Sequence, residues 1–231
     1  MALRSLSGPR LPPVRGPATH LVVLVHGYGA DGNDLISLAG HWRSLLPTTA
    51  FVAPNAPDRV PGSQGYQWFG LTRMDPHELE RGVNSAGPLL DAFLTEELGR
   101  LGLGADRLAL VGFSQGTMLS LHVGLGRSEK PAAIVGFSGL LAAPPPAAAV
   151  APPIFLAHGS ADQVIPVQAL FAAAAELGAA GAAVQWHLAA GMGHGIDPVG
   201  LDSAGQFLSL AFRGLLRREG PVSSRLGPPG P

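Results

Sequence analysis

The run Gly112-Phe113-Ser114-Gln115-Gly116 constrains this chain more than any other part of it. It stands between a short apolar run, Leu108 to Val111, that reads as a buried strand, and a helix-like run, Thr117 to Leu125. G-x-S-x-G placed between strand and helix predicts a sharp turn. Such a turn holds the serine in a strained backbone conformation with its hydroxyl exposed at the end of a sheet. Gly112 and Gly116 leave out the Cβ atoms that would clash where strand and helix converge. The backbone N–H of Gln115 then faces the place where an oxyanion would form, at the start of a helix. The competing explanation is a glycine-rich turn in some other α/β protein.

Five further apolar runs read as buried strands: Leu21–Val25, Ala50–Ala53, Ala133–Phe137, Ile154–Ala157 and Val184–Leu188. Helix-like segments alternate with them at Leu35–Leu46, Glu78–Leu98, Val167–Leu177 and Ser203–Leu216. Alternation of this kind predicts a mostly parallel sheet with helices on both faces and the active site at the carboxyl ends of the strands. The 231 residues suit one domain, expected over residues 1–219 with an irregular segment at 1–17 and a disordered tail from 220 to 231. Pro54 to Pro76 is the longest irregular stretch, and loops of that length are often functional.

Composition removes several classes of function. A net charge of −1 gives no basic surface for nucleic acid. The absence of cysteine excludes a thiol nucleophile, a disulfide framework and a thiolate metal site. The histidines are scattered without metal-ligand spacing, and no phosphate-binding glycine fingerprint follows a strand, so neither metal nor cofactor is expected. Apolar stretches are broken well short of about 18 residues, so no membrane-spanning helix is expected. Residues 1–17 lack the apolar centre of a secretory signal. The expectation is a cytoplasmic protein, with a homodimer left open.

A serine needs a base to become a nucleophile, and the base needs a carboxylate to orient it. Behind an elbow of this kind the partners follow in the order serine, carboxylate, histidine. Asp162 lies just past the strand Ile154–Ala157, and His194 lies in the glycine-rich loop Gly191-Met192-Gly193-His194-Gly195 after the strand Val184–Leu188. Both fall at strand ends on the same rim. Asp162 could instead cap a turn or the helix beginning near Pro166. His158 and His26 read as structural hydrogen-bonding residues, and His41, His77, His122 and His187 as surface or core. A second oxyanion donor is expected from His26-Gly27-Tyr28-Gly29, at the backbone of Tyr28. The alternative there is an ordinary turn with Asn33 or Asp34 capping the next helix. Trp68, Phe69 and Leu71 read as an apolar wall of the substrate pocket, or else as core anchors of the long loop.

With these residues in view, the chain resembles the phospholipase/carboxylesterase family of α/β-hydrolases, which includes acyl-protein thioesterases and small bacterial carboxylesterases. The likeness runs through residues 22–32, Ala53-Pro54-Asn55-Ala56-Pro57, Gln67-Trp68-Phe69, the elbow at Ser114, His158-Gly159 with Asp162, and Gly193-His194. It implies an α/β-hydrolase fold without a large cap domain. It also implies Ser114, Asp162 and His194 as the catalytic set, Tyr28 and Gln115 as the oxyanion hole, and a loop over residues 54–73 that shapes the acyl pocket. The expected activity is hydrolysis of short- to medium-chain carboxylic esters through an acyl-enzyme, with no cofactor. Two readings compete with it: an acyl-protein thioesterase or lysophospholipase, and a non-catalytic binding protein on a hydrolase scaffold.

Overall fold

In a computed structural model, residues 5–146 and 151–216 are described. A seven-stranded sheet runs through the molecule. Its strands are β1 (Arg10–Leu11), β2 (His20–Val25), β3 (Thr49–Val52), β6 (Leu108–Phe113), β7 (Ala133–Phe137), β8 (Ile154–Gly159) and β9 (Val184–Ala189). Their spatial order is β1-β3-β2-β6-β7-β8-β9, and every neighbouring pair is parallel except β1 with β3. All six strands expected from apolar runs are present. The small edge strand β1 lies within the segment expected to be irregular. It pairs Arg10 with Val52 and Leu11 with Phe51, and Ala53 N–H and Asn55 N–H extend the contact to Pro9 O and Ser7 O. Prolines suppress a strand signature without preventing an edge pairing that needs few of their donors.

Because neighbouring side chains of a strand point to opposite faces, each central strand feeds two cores. Leu21, Val23 and Val25 of β2 belong to one, and Val22 and Leu24 to the other. The first core is closed by α3 (Pro76–Leu101), α4 (Gln115–Gly126) and α5 (Gln168–Ala179). The second is closed by α1 (Gly32–Ile36), α2 (Ala39–Trp42) and α6 (Pro198–Phe212). This is the α/β-hydrolase arrangement, with no large cap among the described residues.

Helix ends depart from the apolar-pattern expectation for identifiable reasons. Helices α3 and α6 begin earlier than expected, at Pro76 and Pro198, behind Asp75 and Asp197, whose carboxylates accept from Glu78 N–H and Gly200 N–H. Proline at the first helical position suits the fixed φ, and the preceding aspartate satisfies a free N–H. The expected helix 35–46 is broken in two, and the break carries tight bonds from Leu38 N–H to Leu35 O and from Gly40 N–H to Ser37 O. Its cap is Asp31, in a reciprocal box with Asp34, and not the Asn33 or Asp34 of the alternative turn reading. The stretch 54–76 contains a short hairpin, β4 (Asp58–Arg59) against β5 (Tyr66–Gln67). The tail expected from residue 220 lies outside the described residues.

Candidate active site

Ser114 follows β6 directly and precedes the first residue of α4. Its backbone has φ +54° and ψ −116°, a region that non-glycine residues avoid at a cost of about 1–3 kcal/mol. The turn can be this sharp only because its flanks lack side chains. A Cβ on Gly116 would collide with the Val25 carbonyl oxygen, and one on Gly112 with the backbone of Gly116 and Thr117. Ser114 N–H donates to Phe137 O at 2.9 Å, which ties the elbow to β7.

Asp162 and His194 meet at the same end of the sheet. The Asp162 Oδ1 accepts from Val164 N–H at 2.8 Å and Ile165 N–H at 2.9 Å, so the aspartate turn of the alternative reading does exist. Its other oxygen accepts from His194 Nδ1 at 2.8 Å. The turn reading is therefore not an alternative, since one carboxylate serves both the turn and His194, and the helix-cap reading fails, since α5 begins without a side-chain cap. Burial pushes the Asp162 carboxyl up, but the bonds from His194, Ile165 and Val164 outweigh it and hold it below the ordinary carboxylate value. With Nδ1 engaged as a donor, the lone pair of His194 lies on Nε2. The His194 ring lies 5.0 Å from that of Phe113, the residue before Ser114.

His158 is closer to this constellation than its sequence context suggests. Its Nε2–H donates to Ile165 O at 2.9 Å and stands 3.2 Å from the Asp162 oxygen that His194 also uses. Its side chain is 1% exposed against 19% for His194, so only His194 is open to a substrate.

The Gln115 N–H stands at the first position of α4, where a helix offers no acceptor. The loop carrying Tyr28 lies against Ser114: a Cβ on Gly27 would sit 3.3 Å from the Ser114 Cβ. That loop is braced from three sides. His26 Nδ1 donates to Gly27 O at 2.8 Å, while its Nε2 accepts from Ala56 N–H at 3.0 Å. Strand β5 adds Gly29 N–H to Tyr66 O and Tyr66 N–H to Ala30 O, both 2.8 Å. The side chain of Gln115 is wholly buried and reaches the other way, accepting from Trp68 N–H at 2.9 Å and donating to Phe69 O at 2.8 Å. The elbow and the long loop are thus one hydrogen-bonded unit.

Trp68 and Phe69 are 2% and 7% exposed and sit in the core, Trp68 with its indole N–H on His26 O and Phe69 against Gly82 of α3. Leu71 is half-buried. Beyond it, Glu78 accepts from Thr72 N–H and Oγ1, Arg73 N–H and Met74 N–H, which fixes the loop and lowers the carboxyl to about 2. The sequence reading did not single out Glu78, the β4–β5 hairpin or the Gln115 side chain. Their signals are tertiary bonds.

Burial pushes the imidazole of His26 below its ordinary value of 6.5, opposed in part by its bond to Gly27 O, and His20 and His122 shift the same way, chiefly through burial. The unfolded chain then binds protons that the folded one refuses. Stability from these groups is present above pH 6.5 and is lost as pH falls from there toward their lowered folded values. Thermal midpoints measured at pH 8, 6 and 5 should be level from 8 toward 6.5 and fall toward 5. A midpoint that rises on acidification would contradict this.

A family model described as Phospholipase/Carboxylesterase matches residues 9–212. The chain belongs to that family. It is with it a carboxylic ester hydrolase. Among its relatives, the esterase YpfH of Escherichia coli K12 is 29% identical over 182 residues, 78% of each chain. Acyl-protein thioesterase 1 of Gibberella zeae is 30% identical over 233 residues, 88% of this chain and 97% of that one. The crystal structure of esterase PE8 superposes with a TM-score of 0.85 at 45% identity, covering 92% of this chain and all of the other. No helix among the described residues is long and apolar enough to cross a membrane.

Proposed function

We propose that the protein is a serine carboxylesterase that acts through an acyl-enzyme, with Ser114 as nucleophile, His194 as base and Asp162 as its orienter. The observation that carries this is the 2.8 Å bond from His194 Nδ1 to the buried Asp162, beside a serine on a strained elbow. As Ser114 Oγ attacks the ester carbonyl carbon, its proton passes to His194 Nε2. The charge that develops on the carbonyl oxygen is met by the N–H groups of Gln115 and Tyr28, each worth about 2.7–4 kcal/mol in such sites. Collapse breaks the bond to the alcohol oxygen, which leaves with the proton from His194. A water molecule then gives a proton to His194 and attacks the acyl carbon; the bond from that carbon to Ser114 Oγ breaks, Oγ takes the proton back from His194, and the acid leaves. Asp162 stays ionised throughout and stabilises the imidazolium.

A fluorophosphonate probe tests the nucleophile. Labelling should map by mass to the peptide holding Ser114. A stable protein that takes no label, or takes it elsewhere, would favour the binding-scaffold reading.

The acyl-protein thioesterase reading shares this chemistry, and is supported by the likeness to acyl-protein thioesterase 1 of Gibberella zeae. Chain length separates the two. With no large cap among the described residues, kcat/KM should rise through short acyl chains, at about 0.8 kcal/mol per buried methylene, and then break. Phe69→Ala would open the core beneath α3 and cost stability, so Leu71→Ala is the informative variant and should move the break to longer chains. A profile still rising at sixteen carbons would favour the thioesterase or lysophospholipase reading.

A further inference from the structure

Each of the strands β6, β7 and β8 is followed at once by a serine whose N–H donates to the next strand. Ser114 donates to Phe137 O, Ser138 to Ala157 O and Ser160 to Ala189 O, at 2.9, 2.8 and 2.9 Å. The first of these serines is the proposed nucleophile. The mechanism gives the other two nothing to do, yet their hydroxyls converge on one segment. Ser138 Oγ donates to Gly195 O at 2.8 Å, and Ser160 Oγ accepts from Gly191 N–H at 2.8 Å. Gly191 and Gly195 bracket His194.

Ser138 is the more constrained of the pair. It is wholly buried, and its φ of +46° is one of three positive values at non-glycine residues among those described; another is that of Ser114. Backbone strain at such a residue persists only where its surroundings over-determine it, and it gathers at functional sites. The sequence carries the same echo: Gly136-Phe137-Ser138 repeats Gly112-Phe113-Ser114. A loop with glycines at 191, 193 and 195 has many conformations to lose. Asp162 holds the His194 ring at one nitrogen, about which it can still pivot. A second fixed point on the adjacent backbone removes that freedom.

We propose that Ser138 is a positioning residue for His194: its hydroxyl holds the Gly195 carbonyl, and so fixes the backbone from which the imidazole reaches toward Ser114. This rests on the reading of His194 as the base. A merely structural hydroxyl would act on stability, whereas a positioning one acts on kcat.

Ser138→Gly separates the two. Glycine takes φ +46° without strain, so the turn is kept while the hydroxyl is lost. With a short-chain p-nitrophenyl ester, kcat should fall about 10- to 100-fold, the scale on which a displacement of roughly 1 Å acts. KM should stay within about twofold and the thermal midpoint within a few degrees. The rate of fluorophosphonate labelling at Ser114 should fall in step with kcat, since it needs the same base. Ser138→Ala, which keeps the Cβ at a strained φ, should show the same loss of kcat with lower stability. A Ser138→Gly protein that retains kcat within about twofold overturns the proposal, as does a loss of kcat that tracks only a loss of folded protein. His194→Ala run alongside distinguishes the failures. If it is inactive while Ser138→Gly is not, the tether alone is wrong. If His194→Ala keeps wild-type turnover, the base assignment falls and the tether with it.

Discussion

Ser114→Ala should lower ester turnover by at least about 10³-fold with little change in the melting curve. The size follows from members of a nucleophile–base–carboxylate set acting as a unit, so that losing one removes nearly all they provide together. The neutrality of the fold follows from position. Ser114 is half-buried, and its side chain makes no capping bond to α4. Its backbone bonds to Phe137 and from Thr117 survive in alanine. The strained φ remains in the variant, so Ser114→Gly should be at least as stable as wild type and just as inactive. Steady-state rates with a p-nitrophenyl ester, on protein purified away from host esterases, measure this. Wild-type activity in either variant removes Ser114 from the mechanism.

Asp162→Asn should cost about 10⁴-fold in kcat, for a reason visible in its bonds. An asparagine can place its oxygen on the N–H groups of Val164 and Ile165, where Asp162 Oδ1 now sits. Its NH₂ then takes the place of the oxygen that faces both His194 Nδ1 and His158 Nε2. His158 needs its Nε2 proton for Ile165 O, so the new contact sets donor against donor in a place closed to water. His194 can escape only by moving its proton to Nε2, and Nε2 is the nitrogen the reaction needs as a base. The variant therefore loses the base by tautomer as well as the charge that supports the imidazolium. His194→Ala should be as damaging as Ser114→Ala, and the double variant little worse than either. A kcat for Asp162→Asn within tenfold of wild type would show that another group orients the base.

Most strands are readable because a sheet covered on both faces demands continuous apolar runs, and all six expected strands are present. The edge strand β9 has an exposed, mixed face and was still found, since its residues 184–188 keep an alternation of apolar and polar types. Helix starts at Pro76 and Pro198 were missed by following apolar spacing past the aspartate–proline pairs that mark them. The break near Ser37 has no such marker. The helix after it carries Trp42, whose indole N–H donates to Leu201 O of α6, far along the chain.

At the site, the order of residues and their places at strand ends single out Ser114, Asp162 and His194 as candidates, because a parallel sheet brings the ends of its strands to one rim whatever lies between them. What decided the rest was contact across long separations. Two histidines share one oxygen of Asp162, and only their burial tells the open one from the closed one. Trp68 and Phe69 could line a pocket or fill a core by composition alone, and packing against His26 and Gly82 put them in the core. Ser138 looks like any strand-end serine until the His194 loop folds over it. Local sequence determines where a strand ends and a turn must be sharp, since those depend on near neighbours. Which hydroxyl braces a loop, and which side chain stays open to substrate, depend on groups that meet only when the sheet is assembled.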